Sequence, residues 1–115
     1  MNITAFSVFE SSAYQHSKKQ LKKRFRLIDS DVTKFLHSLE SVDDLGISLG
    51  DGIYKVRIAN SDKNKGKSAG YRLITLLKVI ESNIYLIYIY DKSDFENITE
   101  KELDEIIQGL VGELK

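Results

Sequence analysis

At 115 residues, with 42% hydrophobic and 30% charged side chains, the chain has the composition of one ordinary globular domain and not of a disordered or membrane protein. It has no cysteine, hence no disulfide framework, thiol nucleophile or thiolate metal site, and no apolar run near the roughly 20 residues of a membrane helix. The 17 basic and 17 acidic residues cancel, yet they are segregated: residues 1–28 sum to +5, 29–54 to −5, 55–78 to +6 and 79–115 to −6. Such blocks either build a basic face suited to a polyanion or simply attract one another in the fold.

Residues 3–9 alternate weakly and predict a short strand. The opening residues lack the basic region and apolar stretch of a secretory signal, so a cytoplasmic protein is expected. After Ser11 and Ser12, a helix start, the apolar residues Tyr14, Leu21, Phe25 and Ile28 fall on one helical face. Lys18, Lys19, Lys22, Lys23 and Arg26 fall on the other, where they serve equally well as a solvated face or as RNA contacts. A turn at Asp29-Ser30-Asp31 leads to a second amphipathic helix through Val32, Phe35, Leu36 and Leu39, and the two helices should form an antiparallel hairpin.

Residues 41–52, with Gly46, Gly50 and Gly52, predict a loop. Residues 53–59 then switch to strand periodicity, with Tyr54, Val56 and Ile58 on one side and Lys55 and Arg57 on the other, as in a sheet with one buried surface. Residues 60–69 read as an exposed, lysine-rich loop. Residues 71–80 and 84–90 are apolar runs rich in β-branched and aromatic residues, joined as a hairpin through Glu81-Ser82-Asn83. A final helix is announced by Thr99 and Glu102 as a capping box and Ile98 and Leu103 as a hydrophobic staple, with Leu103, Ile106, Ile107 and Leu110 as its apolar face. The resulting fold class is α+β in the order β-α-α-β-β-β-α: an N-terminal strand and helical hairpin, then an antiparallel sheet with the helices on one side, then a C-terminal helix. Its core is expected to include Leu21, Phe25, Phe35, Leu39, Leu73, Leu86, Ile106 and Leu110.

The chemistry concentrates in Lys55 and Arg57, the loop from Lys63 through Lys65 and Lys67, and Arg72. These cations carry no evident acidic partner, and if the next strand returns antiparallel, Arg72 joins Lys55 and Arg57 on one face. Phosphates are the natural guests of such a surface, since lysine offers a point charge and arginine a planar fork. His16 and His37 lack a second histidine or cysteine at metal spacing, and Tyr85, Tyr88 and Tyr90 fit cross-strand core packing better than a stacking platform. No triad, P-loop or carboxylate dyad points to another enzyme class.

Gly52-Ile53-Tyr54-Lys55-Val56-Arg57, then Gly66-Lys67-Ser68-Ala69-Gly70-Tyr71-Arg72-Leu73-Ile74, then Ile87-Tyr88-Ile89-Tyr90-Asp91-Lys92 leading into Glu96-Asn97-Ile98-Thr99, resembles the RelE/ParE superfamily of type II toxins, especially its HigB-like branch. The likeness runs from the helical hairpin to the last helix and implies a single RelE-like toxin domain over residues 1–115. It implies an mRNA interferase that docks in the ribosomal A site and cuts mRNA by attack of a ribose 2′-hydroxyl on the adjacent phosphate, with no metal or other cofactor. By the same resemblance the catalytic positions are Lys55, Arg57, Arg72 and Lys92, with Lys67 an additional loop cation, and the partners are the ribosome, mRNA and an antitoxin, often of the helix-turn-helix kind, with no membrane. Among the cations, Lys65, Lys67, Lys22 and Lys23 are the candidate RNA contacts. Arg72 is the first choice for the phosphate and Lys55 for proton transfer, because a lysine pKa falls when cations crowd it. Where many members of the family carry a tyrosine, six residues beyond the position of Lys92, this chain has Ile98. Tyr90 and Tyr71 are candidates to replace it, though no spacing requires either. A gyrase inhibitor of the ParE kind and a catalytically inert antitoxin-binding relative remain the alternatives.

Overall fold

A computed structural model describes residues 1–64, 66–95 and 99–114, with the side chains of Ser68 and of residues 110–114 left out. Strand β1 (Ser7–Glu10) leads into helices α1 (Ser12–Lys22) and α2 (Ile28–Ser38). Strands β2 (Ile47–Gly50), β3 (Ile53–Ile58), β4 (Tyr71–Lys78) and β5 (Asn83–Asp91) follow, and helix α3 (Glu100–Leu114) ends the chain. The five strands form one sheet in the order β1-β5-β4-β3-β2, antiparallel throughout except that β1 lies parallel to β5.

The α+β class and the order of the main elements agree with the sequence, and the differences have local causes. The segment expected as a loop holds a 3-10 turn, Val42–Leu45, closed by a Ser41/Asp44 capping box, and then β2. The Asp29-Ser30-Asp31 turn is instead the first turn of α2, where carboxylates suit the positive end of the helix dipole. Asp29 holds Lys18 and Lys22 at 2.9 and 2.6 Å across the hairpin. At the start of α1 the Ser11 hydroxyl accepts from the Tyr14 amide and donates to the Ile87 carbonyl, so one cap also fixes the helix to β5.

The largest correction concerns layers. Helices cover both faces of the sheet, not one. Tyr71, Leu73 and Leu77 of β4 pack under α1 and α2 with Tyr14, Leu21, Ile28 and Val32, whereas Ile74 and Leu76 pack with Leu103 and Ile107 of α3. This explains why β4 is buried at every position but Lys78 and why its sequence is almost continuously apolar. Of the expected core, Leu21, Leu39, Leu73 and Leu86 are buried, and Phe25 and Phe35 pack partly buried against them. Ile106 is 53% exposed, because Leu103 and Ile107, one turn apart, already fill the narrow contact that α3 makes; the side chain of Leu110 lies outside the described set.

Candidate active site

Strand register assembles the site. Arg57 of β3 lies directly opposite Arg72 of β4, which in turn lies opposite Tyr90 of β5, while Lys55 lies opposite Ile74. Side chains of opposed residues share a face, so Lys55, Arg57 and Arg72 converge there as the alternation predicted. Gly46 brings the start of β2 against β3: at φ +90° a Cβ there would lie 2.1 Å from the Lys55 carbonyl oxygen. These approaches leave a cleft of about 500 Å³ lined by Gly46, Ile47, Lys55, Val56, Arg57, Lys67, Arg72 and Glu100.

The lysine-rich connection beside the cleft is exposed at Ser61, Asp62, Asn64, Gly66 and Lys67, as expected, and is anchored at its base. Asp31 of α2 accepts from the Ser61 amide and hydroxyl, and fully buried Asp91 accepts from Lys63 at 2.6 Å. Burial pushes the Asp91 carboxyl up, but hydrogen bonds from Lys63, Ser93 and Asn60 outweigh it and hold the group below the ordinary carboxylate range. The same lysine bonds the Ala69 carbonyl, and Arg72 Nη1 donates to the carbonyls of Lys67 and Tyr71 at 3.3 Å each. Lys67 is thus carried on backbone tied to the arginine in the cleft.

The expectation of cations without an acidic partner fails at Lys55. Its side chain is only 4% exposed, and its Nζ donates to Glu100 at 2.8 Å and Asp104 at 2.7 Å, two carboxylates one turn apart on α3. The helix starts where it does because the Thr99 hydroxyl accepts from the Glu102 amide, the N-cap half of the expected box. Ile98, assigned to the staple, lies outside the described residues. Hydrogen bonding from Lys55 holds the Glu100 carboxyl below its usual range against a partial desolvation, and the charges of Lys55, Arg72 and Lys92 act in the same direction. Sequence reasoning missed Glu100 and Asp104, although their i, i+4 spacing beside Leu103 and Ile107 was a signal that both sit on the sheet side of the helix.

The remaining candidates spread out. Lys92 is exposed in the 3-10 turn Lys92–Phe95, close enough to influence Glu100 but not part of the cleft wall. Lys65 lies outside the described residues. Lys22, the last residue of α1, and Lys23, its C-cap, are exposed, the first paired with Asp29 and the second bonding Gln20. His16 and Lys23 line a separate cleft with Tyr88 and Phe95; His37 is exposed near the end of α2. Of the substitute tyrosines, Tyr71 is fully buried on the opposite face, edge-on to Phe25. Tyr90 lies on the site face, where burial, then Glu100 and Asp104, raise its pKa against the lowering influence of Arg72. Tyr85 stacks on Phe9, as cross-strand packing predicts. Among the described residues, no group of three or more histidines and carboxylates converges as a metal ion would need.

A family model described as the RelE toxin of the RelE/RelB toxin–antitoxin system matches residues 8–110. The chain belongs to the RelE toxin family. The isolated E. coli RelE toxin is similar in fold at a TM-score of 0.51, with 13% identity, over 90% of this chain and 98% of that one. A chain of the intact E. coli RelBE toxin–antitoxin complex aligns at a TM-score of 0.49 and 15% identity, over 76% of this chain and 96% of that one. No curated relative matches the chain. In this RelE-family chain, no helix among the described residues is long and apolar enough to cross a membrane. At this cleft Arg57 and Lys67 are exposed, whereas Arg72 is only 1% exposed, with Nη1 on two backbone carbonyls, so Arg57 and Lys67 are the cations that the cleft presents to solvent.

Proposed function

We propose that this RelE-family chain is a cytoplasmic endoribonuclease toxin, which cleaves mRNA on the ribosome and is held inactive by a cognate antitoxin. The observation that carries the reading is the Arg57–Arg72 pair. The two arginines lie directly opposite each other on the strands that line one cleft, with Lys67 beside them, a concentration of positive charge that suits an anionic guest. In the reaction, the ribose 2′-hydroxyl attacks the adjacent phosphate, Arg72 and Arg57 hold its non-bridging oxygens, and Lys67 adds charge at the rim. Lys92 joins the positive field near Glu100, and Lys55 serves as the anchor for α3. Three cations at a cleft are a modest grip on free RNA, and positioning by the ribosome supplies the rest. An antitoxin partner is supported by the family, described as the toxin of a RelE/RelB toxin–antitoxin system, and the cleft is the surface it would cover.

Single-turnover cleavage of mRNA on programmed ribosomes tests the reading. Arg72→Ala, shown to fold, is expected to slow cleavage roughly a hundredfold or more, the loss of about 2.7 to 4 kcal/mol typical of one transition-state charge contact. Lys22→Ala should change the rate little, because its charge is spent on exposed Asp29. Equal rates for Arg72→Ala and the parent overturn the catalytic assignment, and growth arrest with intact transcripts moves the chain to the gyrase-inhibitor class.

A further inference from the structure

Transfer of a phosphate to a neighbouring 2′-oxygen requires a group that takes the hydroxyl proton, and the cations of the cleft do not supply one. Arginine does not give up its own proton and has no lone pair to offer. The Lys55 amine, the acceptor expected from the sequence, is here a donor to two carboxylates at 2.8 and 2.7 Å, so its lone pair is occupied by a proton. Glu100 is different. It lines the same cleft as Arg57, Lys67 and Arg72, and 54% of its side chain is exposed, so water and a ribose can reach it. Asp104, its partner on Lys55, is not part of the cleft wall.

We propose, resting on the endoribonuclease reading, that Glu100 is the general base of the cleavage. Its carboxylate takes the proton of the 2′-hydroxyl as the O2′–phosphorus bond forms and the phosphorus–O5′ bond breaks, leaving a 2′,3′-cyclic phosphate. The departing 5′-oxygen takes a proton from the Lys67 ammonium. Glu100 is left protonated and Lys67 neutral, and proton exchange with water restores both, with no other reactant consumed. Lys55 then acts as a positioning residue: it fixes the carboxylate over the arginines. Among the described residues, the groups facing Glu100 are Lys55 from β3, Arg72 from β4, Tyr90 from β5 and Lys92 from the turn after it, with Asp104 on its own helix. The cations among them keep the carboxylate ionised, the form that can take a proton, through the neutral range.

Glu100 also helps to hold α3, and Asp104 separates the two roles because it makes the same bond to Lys55 from outside the cleft. In single-turnover cleavage on programmed ribosomes, Glu100→Gln is expected to lose on the order of a hundredfold or more, within the usual range for a general base, and Asp104→Asn less than about tenfold. Added formate should restore part of the rate to Glu100→Ala and none to Asp104→Ala. Equal losses in Glu100→Gln and Asp104→Asn without formate rescue show an anchor only and overturn the proposal. So does a Glu100→Gln rate equal to the parent while Arg72→Ala remains slow, an outcome that leaves the endoribonuclease reading standing. No cleavage by the parent protein overturns both.

Discussion

The clamp on Lys55 makes a prediction about coupling. The ammonium is nearly sealed from water, and either carboxylate alone can neutralise it. Asp104→Asn leaves Glu100 in place and keeps a neutral acceptor, so the loss should be about 1 kcal/mol, the scale of a net hydrogen bond. Glu100→Gln should cost no more, since Glu100 is the more exposed of the two and its contribution is screened. The double variant is different in kind: it strands a buried charge among neutral groups, for which about 3 to 5 kcal/mol is typical. The expected coupling is therefore about 1 to 3 kcal/mol beyond the sum of the single variants, well above the roughly 0.5 kcal/mol scatter of independent sites. Urea unfolding at neutral pH, followed by circular dichroism, measures all three. Adding Lys55→Met to the double variant should recover most of the loss, because an apolar side chain of similar length needs no counter-charge there. Strictly additive single losses, or no recovery with Lys55→Met, refute the idea that the two acids share one buried charge.

Gly46→Ala should destabilise the protein by about 1 to 3 kcal/mol in the same unfolding assay, since the residue lies at φ +90° and a Cβ would meet the Lys55 carbonyl at 2.1 Å. Asp91, Asp29 and Glu100 all have carboxyl pKa values lowered in the fold, so each contributes stability that is full above the unfolded value near about 4 and lost as pH falls through the folded value. Thermal unfolding midpoints should accordingly stay level from pH 7 to 5 and drop below about pH 4, and Asp91→Asn should flatten that drop.

The fold was legible wherever periodicity and local caps agreed. Tyr54, Val56 and Ile58 against Lys55 and Arg57 gave β3 its two faces, and Thr99 marked the start of α3. What escaped were features set by distant chain. β2 is four residues long and pairs with β3 only because Gly46 permits the approach, so its own sequence looks like a loop. The second buried face was hidden because β4 is apolar on both sides, a pattern that says buried without saying by what. At the site, the cations were visible as residue types, and their register followed once the strands were taken as antiparallel. Glu100 and Asp104 were passed over because a charge on an amphipathic helix ordinarily faces water, and only the packing of Leu103 and Ile107 turns these two toward Lys55.

The parallel pairing of β1 with β5 has a consequence for biogenesis. Residues 7–10 dock on residues 83–86, so β1 waits unpaired until β5, far along the chain, has been made. The acids that seat Lys55 come later still, from a helix at the C-terminal end. A chain growing from its N-terminus holds its arginines long before it can complete the sheet edge or the helix that orders the cleft. Maturation of the site is thereby deferred until α3 has been made, and the arginines of the nascent polypeptide spend that interval without the helix that orders the cleft.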